Sequence, residues 1–132
     1  MKKEVKRRKD EGSFIEKYRK SFFHAIDGIV YAIEKENNML IMMLAAILVL
    51  VLSIFLPVSL IELMILLILI VLVIACEMIN SAIEAIVDLV TLKDNPLAKL
   101  AKDLGTSASL LLSALAVVCA IIIFLPKIIA LF

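Results

Sequence analysis

Eighteen consecutive residues, Met39 to Leu56, carry no charge. With flanking residues, a helix of that length spans a hydrocarbon core of about 30 Å. A second uncharged aliphatic stretch runs from Leu63 to Cys76, and a third from Leu104 to Leu125. A soluble domain cannot bury three such runs in one small chain. The 132 residues are 64% hydrophobic, far above the usual apolar share of a soluble domain. The expected fold is therefore all-α and membrane-integral, a single domain over residues 13–132. It has an N-terminal amphipathic surface helix at 13–35 and three transmembrane helices. The spans are expected at about 39–56, 60–90 including a cytoplasmic extension, and 97–125.

Local signals set those limits. Ser13 followed by Glu16 has the pattern of a capping box and marks a helix start. Ile15, Tyr18, Phe22, Ala25, Ile26, Ile29 and Ile33 then form an apolar stripe at helical spacing. With no soluble core to join, that helix is expected to lie on the membrane surface, aromatic side inward. Pro57-Val58-Ser59 forms a short turn, and Glu62 caps the helix that follows. Asp94-Asn95-Pro96 breaks that helix, with Asn95 as the next N-cap and Pro96 as first helical residue. Pro126 is expected to close the last span. Residues 1–12, dense in charge, read as a solvated flexible tail.

The charge distribution sets a topology. Residues 1–38 hold ten of the fourteen Lys and Arg residues. The 91–103 loop carries Lys93, Lys99 and Lys102, whereas the 57–62 turn carries no Lys or Arg. Positive residues mark the cytoplasmic side. The N-terminus and the 91–103 loop are thus expected in the cytoplasm of a bacterial cell, with the C-terminus external. Lys127 is the single exception. No cleavable signal peptide is expected, because the first apolar run starts far from the N-terminus and lacks a small-residue cleavage pattern. The basic tail does not point to nucleic acid, since stacking aromatics and a soluble fold to present them are missing. Cys76 and Cys119 sit in apolar runs and read as small buried hydrophobes.

At the end of the second span the pattern changes. Glu77, Asn80, Glu84 and Asp88 follow at spacings of three, four and four. At 100° per residue they share one helical face. Three carboxylates on a membrane helix are costly and need a reason. Counting from Ser59 at 1.5 Å per residue, Glu77 lies roughly 27 Å along, near the cytoplasmic interface. Glu36, Lys102 and Asp103 fall at the same depth from separate segments.

Several carboxylates with an Asn and a Lys suit a hard cation bound through oxygen. Mg²⁺ takes one or two carboxylates and fills its shell with water and phosphate oxygens. Phosphoryl transfer needs such a metal, a cation for the transferring charge and a base for the attacking hydroxyl. Glu36 and Glu84 fit the metal, Lys102 the phosphate and Glu77 the base. The only glycines are Gly12, Gly28 and Gly105, so no glycine-rich phosphate loop exists. From spacing alone, a helix contact or a water-filled crevice fits the ladder equally well. A small ion or proton transporter is a further alternative, but it predicts acids well inside the span. A non-catalytic membrane scaffold would not need Glu77, Glu84 and Lys102 together.

The stretch Glu77-Met78-Ile79-Asn80-Ser81-Ala82-Ile83-Glu84-Ala85-Ile86-Val87-Asp88 resembles the E-x-x-N-[ST]-A-I-E-x-x-x-D signature of the prokaryotic diacylglycerol kinase family. Ala101-Lys102-Asp103 resembles the family's A-K-D, and Ser21-Phe22, Ala25, Gly28 and Glu36 its N-terminal pattern. The resemblance covers roughly residues 14–125. It implies a homotrimer of three-span subunits with active sites shared between neighbours. It also implies ATP as co-substrate, Mg²⁺, and phosphorylation of a lipid hydroxyl at the cytoplasmic face. By matching positions Glu77 is the general base and touches the lipid. Glu36 and Glu84 bind metal and nucleotide, Lys102 and Asp103 contact ATP, and Asn80 supports the site.

Three positions depart from the family pattern. His24 stands where a Tyr beside the nucleotide is common. Lys17 stands near a position that can hold Arg, and would touch nucleotide or lipid without the bidentate fork. Asn95 replaces a frequent His beside ATP. Glu36-Asn37-Asn38 leading into Met39-Leu40-Ile41, and Asn95-Pro96-Leu97-Ala98-Lys99, are similar to the Gram-positive branch. That branch resembles undecaprenol kinases, so undecaprenol is the expected acceptor and diacylglycerol the alternative.

Overall fold

A computed structural model describes residues 14–132. The charged segment 1–12 and the Ser13 cap lie outside the described residues. Four helices follow in order: α1 (Phe14–Lys35), α2 (Asn37–Phe55), α3 (Leu60–Val90) and α4 (Pro96–Ile129). The chain divides into two compact units, one ending at Tyr31 and the other running from Ala32 to Phe132. In the first unit α1 is a regular amphipathic helix. The rings of Phe14 and Tyr18, one turn apart, pack at a tilt of 54° with centroids 4.5 Å from each other.

The second unit contains α2, α3 and α4, each long and apolar enough to cross a membrane. At 1.5 Å per residue, the 31 residues of α3 extend for about 46 Å. That exceeds a hydrocarbon core of about 30 Å, so α3 continues well beyond a single span.

Each helix end has a local cause. Leu56 precedes Pro57, which disfavours the helical region for the residue before it, and Leu56 is extended at φ −104°, ψ 150°. Ser59 and Glu62 form a complete capping box at the start of α3. The Glu62 N–H donates to Ser59 Oγ at 3.3 Å and the Ser59 N–H to Glu62 Oε2 at 2.8 Å. The Asn95 side chain caps α4, accepting from Leu97 N at 2.9 Å and Ala98 N at 3.4 Å.

Pro126 does not close α4. The helix continues through it to Ile129, with Ala130 N donating to Pro126 O at 3.1 Å. A proline in a helix costs one backbone hydrogen bond. Here Lys127 ties the final turn down, donating from Nζ to Glu62 Oε1 at 2.6 Å and to Ile123 O at 3.2 Å.

α3 packs against both α2 and α4. Its buried residues Leu66, Leu69, Val73, Glu77 and Asn80 recur every three or four positions, one continuous stripe. The antiparallel register with α4 is set by Glu62–Lys127, Glu77–Ser109 and Asp88–Lys102. Near the 57–59 turn, Leu56, Leu66, Ile123 and Phe124 form the core, surrounded by Val49, Leu52, Val58 and Ala120. Elsewhere the spans stay largely uncovered: even in α3, only 22% of the most apolar window is buried. So much exposed aliphatic surface needs lipid or other chains against it.

Candidate active site

Glu77 is 3% exposed and Asn80 6%, although both are polar residues on a helix facing a neighbour. A buried carboxylate without a partner would be expensive. Glu77 has one, because Ser109 Oγ donates to its Oε2 from across the α3–α4 interface. One turn further along α3, Asn80 Nδ2 donates to Glu84 Oε1 at 3.2 Å. The polar face proposed from spacing is therefore connected within itself and to α4.

Asn80 is also held from the other side. Its Oδ1 is buried without a hydrogen-bond partner. That oxygen lies against Gly105, where a Cβ would stand, with Asn80 Cγ at 3.5 Å and Ile83 Cδ1 at 3.6 Å from the same point. Only a glycine lets α4 come so close to the amide. The oxygen sits over the glycine, while the amide nitrogen is directed at Glu84.

Beyond Glu84 the face opens to solvent. Lys102 Nζ lies 2.6 Å from Asp88 Oδ1, with the two side chains 36% and 54% exposed. Exposed pairs of this kind bind weakly, so Lys102 can exchange Asp88 for another anion at little cost. Asp103 is exposed, and its backbone carbonyl accepts from Ser107 Oγ at 2.7 Å. Glu36 is the residue between α1 and α2. It serves as N-cap of α2 by its backbone, with φ −102° and ψ 111°, and its side chain makes no capping hydrogen bond. Among the described residues, no three His, Cys, Asp or Glu side chains converge as a metal cage. Glu36 and Glu84 thus offer hard oxygen ligands of the type Mg²⁺ takes, with water and phosphate oxygens left to fill the rest of its shell.

The remaining candidates divide differently. Asn95 spends its side-chain oxygen on the α4 cap, so only its amide NH₂ is free for a ligand. In the first unit, Lys17 and His24 lie on α1, with His24 Nδ1 4.0 Å from Asp27 Oδ2, too far for a hydrogen bond.

Below Glu77 the three helices of the second unit line a half-open apolar cavity of about 310 Å³. Ile41, Ala45, Leu69, Val73, Ser113 and Ala116 are among its walls. Two of its wall residues, Val73 and Ile74, are one helical turn from Glu77, which is not itself in the wall. Ser113 Oγ is buried and unpartnered.

Sequence reading passed over Ser109 and Gly105. A signal was present: Gly105, Ser109 and Ser113 recur every four residues on α4. Small residues at that spacing let membrane helices approach closely. The pattern announces a tight contact but not the residues it meets.

The sequence pattern of prokaryotic diacylglycerol kinase matches residues 23–124. The chain belongs to that family. Of the stretches that carried the resemblance, Glu77–Asp88 and Ala101–Asp103 lie inside the match, as do Ala25, Gly28 and Glu36, while Ser21-Phe22 lies just before it. The chain is 38% identical over 119 residues to the undecaprenol kinase of Bacillus subtilis, covering 90% of this chain and 97% of the relative. It is 34% identical over 92 residues to the diacylglycerol kinase of Helicobacter pylori strain J99, covering 70% and 72%. A second H. pylori diacylglycerol kinase is 33% identical over the same length. Undecaprenol kinase and diacylglycerol kinase are both lipid kinases. Membership of the family, together with three membrane-length apolar helices, makes this a membrane protein.

Proposed function

We propose that this member of the diacylglycerol kinase family transfers the γ-phosphate of ATP to the hydroxyl of undecaprenol, giving undecaprenyl phosphate. The likeness to the B. subtilis undecaprenol kinase carries the choice of acceptor. It extends over 90% of the chain, against 70% for the diacylglycerol kinases. The apolar cavity one helical turn from Glu77 supports a hydrocarbon acceptor in either case.

In this reading the lipid hydroxyl oxygen attacks the γ-phosphorus. The bond from that phosphorus to the β–γ bridging oxygen breaks, and ADP leaves with the electron pair. Glu77 takes the hydroxyl proton. Glu84, oriented by Asn80, and Glu36 would hold Mg²⁺, which when bound offsets the negative charge of the phosphates. Lys102 gives up Asp88 for phosphate, and Asp103 contacts the nucleotide. Asn95, through its free amide NH₂, Lys17 and His24 are further contacts to ATP, and Lys17 also to lipid. Among the described residues of one chain, no third carboxylate joins Glu36 and Glu84 in a metal cage, and the spans are largely uncovered. Both features favour a homotrimer in which neighbouring chains complete each site. The lysines of the 91–103 loop support a cytoplasmic site, with the N-terminus cytoplasmic and the C-terminus external.

The test is radiolabelled ATP with Mg²⁺ and either undecaprenol or diacylglycerol in mixed micelles. Label transferred preferentially to undecaprenol is expected. Preference for diacylglycerol would overturn the acceptor, and transfer to neither lipid by folded protein would overturn the kinase.

A further inference from the structure

A serine inside a helix can return its hydroxyl to the carbonyl four residues back. Ser53 does so in α2, donating to Val49 O at 2.8 Å, and Ser107 does so in α4, donating to Asp103 O at 2.7 Å. Ser109, only two residues after Ser107, does not. Its hydroxyl turns across the interface and donates to Glu77 Oε2. Ser109 is 4% exposed, so no solvent competes for that proton.

Close approach of α3 and α4 requires a small residue here, and alanine would satisfy that need. The hydroxyl adds something else. Glu77 Oε2 is occupied, and among the described residues Oε1 accepts no hydrogen bond. A carboxylate held by one oxygen presents the other in a fixed direction. Unanchored, the same group rotates about its last side-chain bond, which has a broad torsional preference.

We propose that Ser109 is a positioning residue: it holds Glu77 Oε2 so that Oε1 receives the proton of the lipid hydroxyl. This rests on the reading of Glu77 as the base. Ser109 keeps its own proton throughout. The proton transferred is that of the acceptor alcohol, moving to Oε1 as the new oxygen–phosphorus bond forms.

The experiment measures lipid phosphorylation in mixed micelles for Ser109→Ala, Ser109→Thr and Ser109→Val, with unfolding midpoints recorded for each. A hydrogen bond to a charged acceptor is worth roughly a 10- to 100-fold factor. Ser109→Ala should lower kcat by that order with KM for ATP unchanged. Thr and Val have the same shape, so any packing defect is common to both. Ser109→Thr should therefore be faster than Ser109→Val, a difference that packing alone does not produce. In a Glu77→Gln background, Ser109→Ala should leave the residual rate unchanged. Wild-type kcat in Ser109→Ala, equal rates for the Thr and Val variants, or an equal loss in the Glu77→Gln background would each overturn the proposal. If instead the wild type phosphorylates neither lipid, the kinase reading fails and this proposal fails with it.

Discussion

Gly105→Ala should be damaging at a position where helix propensity alone predicts a gain. Alanine is favoured over glycine in a helix interior by about 1 kcal/mol. At Gly105, however, the new methyl group would overlap Asn80 Oδ1, while Asn80 Cγ and Ile83 Cδ1 stay at ordinary contact, 3.5 and 3.6 Å. One atom is in conflict, and it belongs to a side chain already tied to Glu84. Either α4 moves away or the amide rotates and gives up its bond to Glu84. Overpacking of this kind costs about 1–3 kcal/mol. After the propensity gain, the net loss of stability is about 0–2 kcal/mol. Gly28 supplies the control, because a Cβ there meets nothing within 4 Å. Gly28→Ala should stabilise by up to about 1 kcal/mol. The two glycine-to-alanine changes should therefore differ by about 1–3 kcal/mol in denaturant unfolding in micelles. In the Asn80→Ala background the obstacle is gone, and Gly105→Ala should become neutral or stabilising. The kinase assay should also show a raised Mg²⁺-ATP requirement for Gly105→Ala, as Glu84 loses its orienting partner. If Gly105→Ala stabilises as much as Gly28→Ala, or its penalty persists without the Asn80 side chain, the packing account is wrong.

Other substitutions separate the roles along the polar face. Glu77→Gln removes the base, and kcat should fall by roughly 10²- to 10⁴-fold while nucleotide binding, measured by ATP-analogue titration, is spared. Near-normal turnover would rule out the role. Glu84→Gln should act on the other variable, shifting the Mg²⁺ dependence of activity to higher concentration with a smaller change at saturation. Lys127→Met removes the tie between the last turn of α4 and the first turn of α3. Its unfolding midpoint should fall while KM for ATP stays unchanged, because the pair lies at the end of the bundle away from Glu77. A raised KM instead would mean that this end is coupled to the site.

Much of this protein is written locally. Long apolar runs specify three membrane-length helices, because backbone groups in hydrocarbon must be satisfied within the helix itself. The Ser59–Glu62 box and the Asn95 cap depend on residues three or fewer positions apart; Asn95 caps α4 as expected, and Glu62 caps α3 together with Ser59, a residue expected only in the turn. The spacing of Glu77, Asn80, Glu84 and Asp88 puts them on one face whatever that helix packs against. The end of α4 was less legible. Pro126 is a stop signal by itself, yet the turn continues, tied down by a bond to a glutamate 65 residues earlier in the chain.

What the sequence determined, then, is which residues form helices, which faces are polar, and the twelve-residue signature that assigns the family. What only the tertiary structure decided is how Glu77 and Asn80 are held. Ser109 is 32 residues from Glu77, and Gly105 is remote from Asn80 in the chain. Their meeting depends on the register of α3 against α4, which helical periodicity leaves open. Sliding α4 by a turn would keep every local rule satisfied, but it would bring Gly105 or Ser113 to Glu77 in place of Ser109, and against Gly105 the carboxylate would be buried without a partner. The energy of an unpaired buried carboxylate belongs to the packed pair of helices and not to either helix alone.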